Sequence, residues 1–180
     1  DAGRQLSLVV LLEMRQPSGE QGWNTPIAPE RVQAALQQTL GGRYAPALQQ
    51  LLGAAQHWFA WPLYSRPARS AASMAWAQGR AAILGDAAHP MLPYLAQGAA
   101  MALEDAQVLA QCWQGAASVP AALQNYAAER QNRCTRVVQT AARNARISHA
   151  SGAVALGRNA YLRWRDGKPV GMDWLYGWRA

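Results

Sequence analysis

Lysine is nearly absent from this chain. Lys168 is the only one, and the rest of the positive charge is arginine. Charged residues of either sign are scarce at 15%, while 51% of the residues are hydrophobic. That balance argues against a disordered chain, which is rich in charge and poor in apolar side chains. Long apolar runs are missing too. None approaches the ~18–20 residues of a membrane span, so no membrane partner is expected. Cysteine is limited to Cys112 and Cys134. Both fall in helical patterns, suggest no disulfide framework, and fit packing residues in a reducing cytoplasm. No His/Cys set has metal-ligand spacing, so no metal is expected. Internal repeats and low-complexity linkers are absent. The start, DAGRQLSLVV, has neither a methionine nor a basic, apolar signal region, and reads as a cut made inside a larger protein.

What is present suits about one domain, or a large piece of a bigger one, at 180 residues. The net charge of +7 and pI near 10.1 fit nucleic acid, an anionic small molecule or an acidic partner domain. Residues 6–14 (LSLVVLLEM) read as a buried strand, and QPSGEQGWNTP as a loop. Pro29 opens a helix through about Leu40, stopped by Gly41 and Gly42, and a short helix covers 45–52. HWFAWPLYS reads as a strand near an edge, because Pro62 cannot donate to a ladder. GRAAILGD is a turn plus a short strand. A helix follows from about Gln97 to Trp113. Behind the N-cap Ser118, a long helix runs to about His149, with a break near Gly152. The order of elements implies an α+β fold.

The most informative stretch is GDAAHPMLPYLAQGAAMALEDA, residues 85–106. Gly85 lets the backbone turn or approach a ligand. Asp86 stands at a strand end and can accept hydrogen bonds from hydroxyls. Gln97, Gly98, Ala99 and Ala100 mark a helix start, whose free N–H groups favour an anionic or electron-rich group. Pro90 and Pro93 stiffen the loop between. A polyol attached to a planar, reducible ring satisfies all of these, and a flavin is both. His89 reads as a structural hydrogen-bonding residue. His57 and His149 read as surface or packing residues. Glu104 and Asp105 are adjacent, share no helix face, and are expected to bond nearby backbone or arginine. Arg130, Arg133, Arg136, Arg143 and Arg146 spread over a broad arc, which predicts a solvated or domain-docking face and no nucleic-acid partner.

This stretch resembles the Gly-Asp motif of the FAD-dependent aromatic hydroxylases, the class A flavoprotein monooxygenases, in their salicylate hydroxylase-like branch. The flanks WPLYSRP, GRAAILGD and DWLYGW agree with it. The resemblance implies that Gly85 and Asp86 bind FAD, Asp86 through the ribityl hydroxyls. It implies that Gln97, Gly98, Ala99 and Ala100 face the pyrimidine edge of the ring. Pro93 is then the catalytic position, through its carbonyl, and Tyr94 borders the substrate. FAD would be the cofactor, NAD(P)H the reductant, and a small aromatic compound the substrate. The family's GxGxxG and Asp-Gly motifs are not found in this sequence. The expected architecture is therefore a partial substrate-domain sheet, then a flavin-side loop and long C-terminal helices, lacking the N-terminal dinucleotide-binding βαβ unit. The expected divisions are 1–78 (part of the substrate domain), 79–115 (Gly-Asp motif) and 116–180 (helical region). An N-terminal FAD-binding portion is the expected partner. Activity of the chain alone is not expected, and an exposed half-sheet favours a homo-oligomer. The alternative is a non-catalytic remnant that has lost FAD binding.

Overall fold

The computed structural model describes residues 7–12, 24–41, 45–66, 75–166 and 171–178. They fall in two compact units, Asp1–Leu63 and Tyr64–Ala180.

In the first unit, strands β1 (Thr25–Ile27) and β2 (Trp58–Ala60) pair antiparallel, with Pro26 opposite Phe59 and Ile27 opposite Trp58. Between them lie helices α1 (Pro29–Leu40) and α2 (Pro46–Ala54). Each helix has proline in its first turn, where the missing N–H costs nothing. Gly41 ends α1 in the left-handed conformation, φ 58°, and its N–H returns to the Gln37 carbonyl. Val32 and Leu36, one turn apart, meet Leu52 in a small core lined by Leu8, Val10, Leu12, Ile27 and Trp58. The indole of Trp61 donates to Asn24 Oδ1 at 2.6 Å and ties the chain after β2 to the start of β1.

The strand expected over residues 6–14 is not formed by the described part, 7–12, which joins no ladder. Leu8, Val10 and Leu12 nevertheless point to the core in strand-like alternation. The apolar period is that of a strand, but a ladder also needs a partner edge, and none pairs with it among the described residues. The expected stretch around 57–65 is a strand only to Ala60, and the ladder stops before Pro62.

The second unit is mostly helical. A hairpin of β3 (Ala77–Gln78) and β4 (Ala81–Ala82) turns at Gly79, φ 58°. It leads through Ile83 and Leu84 into a 3-10 turn, Gly85–Ala87. Then come α3 (Gly98–Gln114), α4 (Val119–Ser148), α5 (Gly152–Arg165) and α6 (Asp173–Tyr176). As expected, Ser118 caps α4, its hydroxyl accepting from the Ala121 N–H at 3.4 Å, and the chain breaks before Gly152.

Met101, Asp105 and Val108 make the buried face of α3 at helical spacing, against Leu123, Tyr126, Ala127, Arg130, Cys134 and Val137 of α4. Full burial of each apolar side chain in this seam contributes roughly 1.5–3 kcal/mol. Two residues of α4 also hold the hairpin: Gln124 Nε2 donates to the Ala77 carbonyl at 3.1 Å, and Tyr126 Oη to Ile83 at 3.1 Å. Helix α5 has no buried residue. It is attached through Arg158, which donates to the Ile147 and Ser148 carbonyls at 2.8 Å each and so caps the end of α4. Among the described residues, no helix is long and apolar enough to cross a membrane. Two small antiparallel sheets and long helices thus make up the described residues.

Candidate functional site

The stretch 85–106 folds as a 3-10 turn, a proline-bounded loop and a helix; the strand expected to end at Gly85-Asp86 stops at Ala82, so Asp86 stands in the turn and not at a strand end. Gly85 is buried with φ 57°, so the turn uses the backbone freedom expected of it. Both of its polar groups are held: its N–H donates to Asp105 Oδ2 at 2.9 Å, and its carbonyl accepts from Ala88 and His89. Asp86 follows, exposed. Gly98 opens α3, and a Cβ placed on it would stand 3.9 Å from Asp86 Oδ1 and meet nothing else within 4 Å. The turn and the helix start, twelve residues apart in sequence, therefore share one place.

Helix α3 begins with no side-chain cap and no acid in its first turn. Gln97 occupies the N-cap position and its carbonyl accepts from Met101. Ala99 is exposed, and Gly98 and Ala100 are partly so. Small side chains leave the first N–H groups approachable, and the helix dipole adds partial positive charge there. Residues 86 and 97–100 thus fit one side of a flavin: a hydroxyl acceptor beside an uncapped helix start.

Pro93 is exposed, and its carbonyl accepts a 3.3 Å bond from the Ala96 N–H. Ala96 has φ 53°, a left-handed conformation that is strained for alanine and closes the loop onto α3. Tyr94 is partly buried. Its hydroxyl shares a 2.5 Å hydrogen bond with His149 Nε2, and the rings meet edge to face at 80°. Asn144 donates to the Tyr94 carbonyl at 3.4 Å. His149, expected to be an isolated surface or packing residue, is thus the partner of Tyr94. Fifty-five residues separate the two, and no local pattern connects them.

Beneath the turn lies a buried polar network that sequence reading only partly foresaw. Asp105 is fully buried. Oδ2 accepts from Gly85 N–H and from His89 Nε2 at 2.6 Å, and Oδ1 accepts from Arg130 Nε at 2.8 Å. Burial pushes the Asp105 carboxyl up, but the hydrogen bonds from His89, Gly85 and Arg130 outweigh it and hold the group below the ordinary carboxylate value. An ionised carboxylate only accepts, so His89 Nε2 carries the proton in this contact. Arg130 also pairs with Glu104 at 2.8 Å, and Arg133 grips Glu104 with two 2.7 Å bonds. Arg133 further donates to the Trp174 and Leu175 carbonyls, and Trp178 lies against both guanidiniums. Glu104 and Asp105 thus bond arginine and backbone, as expected.

The arginine face is corrected at two of its five positions; Arg136, Arg143 and Arg146 are exposed, as expected. Arg130 is 1% exposed and Arg133 half-buried; neither is solvated, because the acid pair of α3 stands opposite. One signal was available in sequence: Asp105 and Arg130 occupy core positions of otherwise apolar helix faces, where an ionised side chain demands a buried partner.

His89, Asp105 and Cys134 offer ligand atoms within 4.8 Å of one another. Arg130 already supplies the positive charge there, with Nη2 3.5 Å from Cys134 Sγ. Burial pushes the Cys134 thiol up to about 12. The cluster is a hydrogen-bonded network.

Residues 13–141 match the family model described as an FAD binding domain. The chain belongs to that family. Among curated relatives, it is 35% identical over 181 residues to 3-hydroxybenzoate 6-hydroxylase of Polaromonas naphthalenivorans (strain CJ2), covering 99% of this chain and 42% of the relative. It is 33% identical to 3-hydroxybenzoate 6-hydroxylase 2 of Aquipseudomonas alcaligenes, covering 99% and 53%. Among solved structures it is similar to Klebsiella pneumoniae HpxO complexed with FAD and uric acid, with TM-score 0.58 and 27% identity over 89% of this chain and 39% of that one. The chain spans about half the length of these relatives. Its family membership agrees with the resemblance of the Gly-Asp stretch to the class A FAD-dependent aromatic hydroxylases.

Proposed function

We propose that this chain forms one wall of the flavin site of a monooxygenase that hydroxylates a small aromatic compound. The observation that carries the reading is the convergence of the Asp86 carboxylate and the uncapped start of α3. Asp86 accepts hydrogen bonds from the ribityl hydroxyls of FAD. Gly85 gives the turn that places it. The N–H groups from Gln97 to Ala100 face the pyrimidine edge of the ring, and their small side chains let it approach. FAD, reduced by NAD(P)H, supplies the oxygen-activating chemistry.

The loop contributes orientation. Pro93 is the proposed catalytic position, its carbonyl keeping a second lone pair beyond the one given to Ala96. Tyr94, braced by His149 and Asn144, borders the aromatic substrate. Residues 1–78 are proposed as part of the substrate domain, 79–115 as the Gly-Asp motif and 116–180 as its helical support. The rest of the flavin site is supplied by an N-terminal FAD-binding portion. The protein is proposed to work in the cytoplasm, with self-association through its exposed apolar surface.

The test is FAD titration followed by flavin fluorescence, made on the protein together with its proposed N-terminal FAD-binding portion, with Asp86→Ala beside the unaltered form. Loss of a charged hydrogen-bonding partner should weaken FAD binding on the order of 10- to 100-fold. Equal affinity of the two proteins would remove Asp86 from the site. No FAD uptake by the unaltered protein would leave a non-catalytic remnant as the reading.

A further inference from the structure

We propose that Asp105 is a positioning residue for the flavin site: by accepting the Gly85 amide it sets the left-handed turn that carries Asp86 to the start of α3. This rests on the FAD reading above, and adds a residue that does not touch the cofactor.

Three features make the turn depend on this carboxylate. Gly85 is buried, so its N–H has no water to fall back on, and a buried unpaired amide is costly. Its carbonyl is already taken by Ala88 and His89. The bond to Asp105 therefore completes the fixing of the peptide at φ 57°. Second, Asp105 belongs to the same helix whose first residues form the other half of the site. It sits about two turns after Gly98, so one rigid element holds the turn from below and presents the N–H groups beside it. Third, the carboxylate cannot swing away. Both of its oxygens are engaged, by Gly85, His89 and Arg130, and Arg130 is itself held by Glu104. The network thus joins the 3-10 turn, the loop, α3 and α4 around one anion. Its outer face carries the exposed Asp86.

A merely structural Asp105 and a positioning Asp105 differ in what survives once the protein is folded. The test compares Asp105→Asn with Leu123→Ala in the full protein. Leu123→Ala opens the same buried seam between α3 and α4 and removes no hydrogen bond of the network. Apo-protein melting, FAD affinity per folded molecule and the visible circular dichroism of bound flavin are read for each. Both variants should melt lower. Only Asp105→Asn should weaken FAD about tenfold or more and change the flavin dichroism at saturation. Unchanged affinity and dichroism in folded Asp105→Asn would overturn the proposal while leaving the flavin site intact. Equal losses in both variants would overturn it too. No FAD uptake by the unaltered protein would overturn the flavin reading itself, and this inference with it.

Should Asp105→Asn fail to fold, Gly85→Ala poses the same question without disturbing the ion pairs. Its Cβ would clear Ala102 at 3.5 Å, but the left-handed φ is strained for alanine. A weaker, spectrally altered flavin complex supports the proposal, and an unaltered one overturns it.

Discussion

The two units of this chain solve the problem of a small core in different ways. Among the described residues, the first buries three apolar side chains, Val32, Leu36 and Leu52, beside a two-stranded ladder and an unladdered apolar run. The second places a charged network, Asp105–Arg130–Glu104–Arg133, within a larger apolar seam between α3 and α4. A purely apolar core tolerates exchanges that keep volume and shape. A charged one fails when a single partner is lost, because the remaining charge has no water to return to. The network lies under the Gly-Asp turn, where backbone direction has to be fixed, and there its sensitivity has a use.

The largest expected effect comes from breaking the network. Arg130→Met leaves Asp105 and Glu104 facing each other without the guanidinium between them. It should destabilise the second unit by about 3–5 kcal/mol, seen as a fall in the urea midpoint. Amide exchange should accelerate in α3 and α4 while α1 keeps its protection. A change below about 1 kcal/mol would mean that water reaches the acids and that the network is not a closed one.

Leu36→Ala is the matching cut in the first unit. It should cost about 2 kcal/mol, at the low end for a buried leucine, since the partly open surroundings can collapse around the gap. Exchange in α1 should respond and FAD affinity should not. Equal acceleration in α3 would show that the two units unfold together and would end the comparison.

What could be read from sequence was local, and what could not was the pairing of distant residues. Pro29 with Gly41, and Ser118 with Pro120, bounded their helices because caps and breakers act within a turn. The Gly85 turn and the α3 start were legible for the same reason. The alternation of Leu8, Val10 and Leu12 was legible as a strand, yet period says nothing about whether a neighbouring edge exists. Arg130 and Arg133 looked like part of a solvated face until Glu104 and Asp105 were brought opposite them from another helix, while Arg136, Arg143 and Arg146 stayed exposed. The bond between Tyr94 and His149 joins the loop to the end of α4 and has no sequence signature. In the site, the turn at Gly85 and the start of α3 were foreseen, whereas the 3-10 conformation of Asp86, the left-handed Ala96 and the network beneath them were not.

Acidification should give the smallest of the three effects and the sharpest contrast between the units. Burial raises the Asp105 carboxyl, but its hydrogen bonds hold it below the ordinary value of 3.8. A group whose folded pKa is depressed contributes stability that is complete above its unfolded pKa and is lost as pH falls through the folded one. The contribution of Asp105 should therefore be constant from pH 7 down to about 5, and should fade only below about 4. The only acid among the described residues of the first unit is Glu30, which is exposed on α1, so that unit has no counterpart. Amide exchange measured between pH 7 and 3, corrected for the intrinsic rate, should show α3 and the Gly85 turn losing protection at the acid end while α1 holds. Loss in α3 already complete by pH 5 would assign the transition to a different group. Loss in α1 at the same pH would mean that acid acts on the whole chain and not through the buried anion.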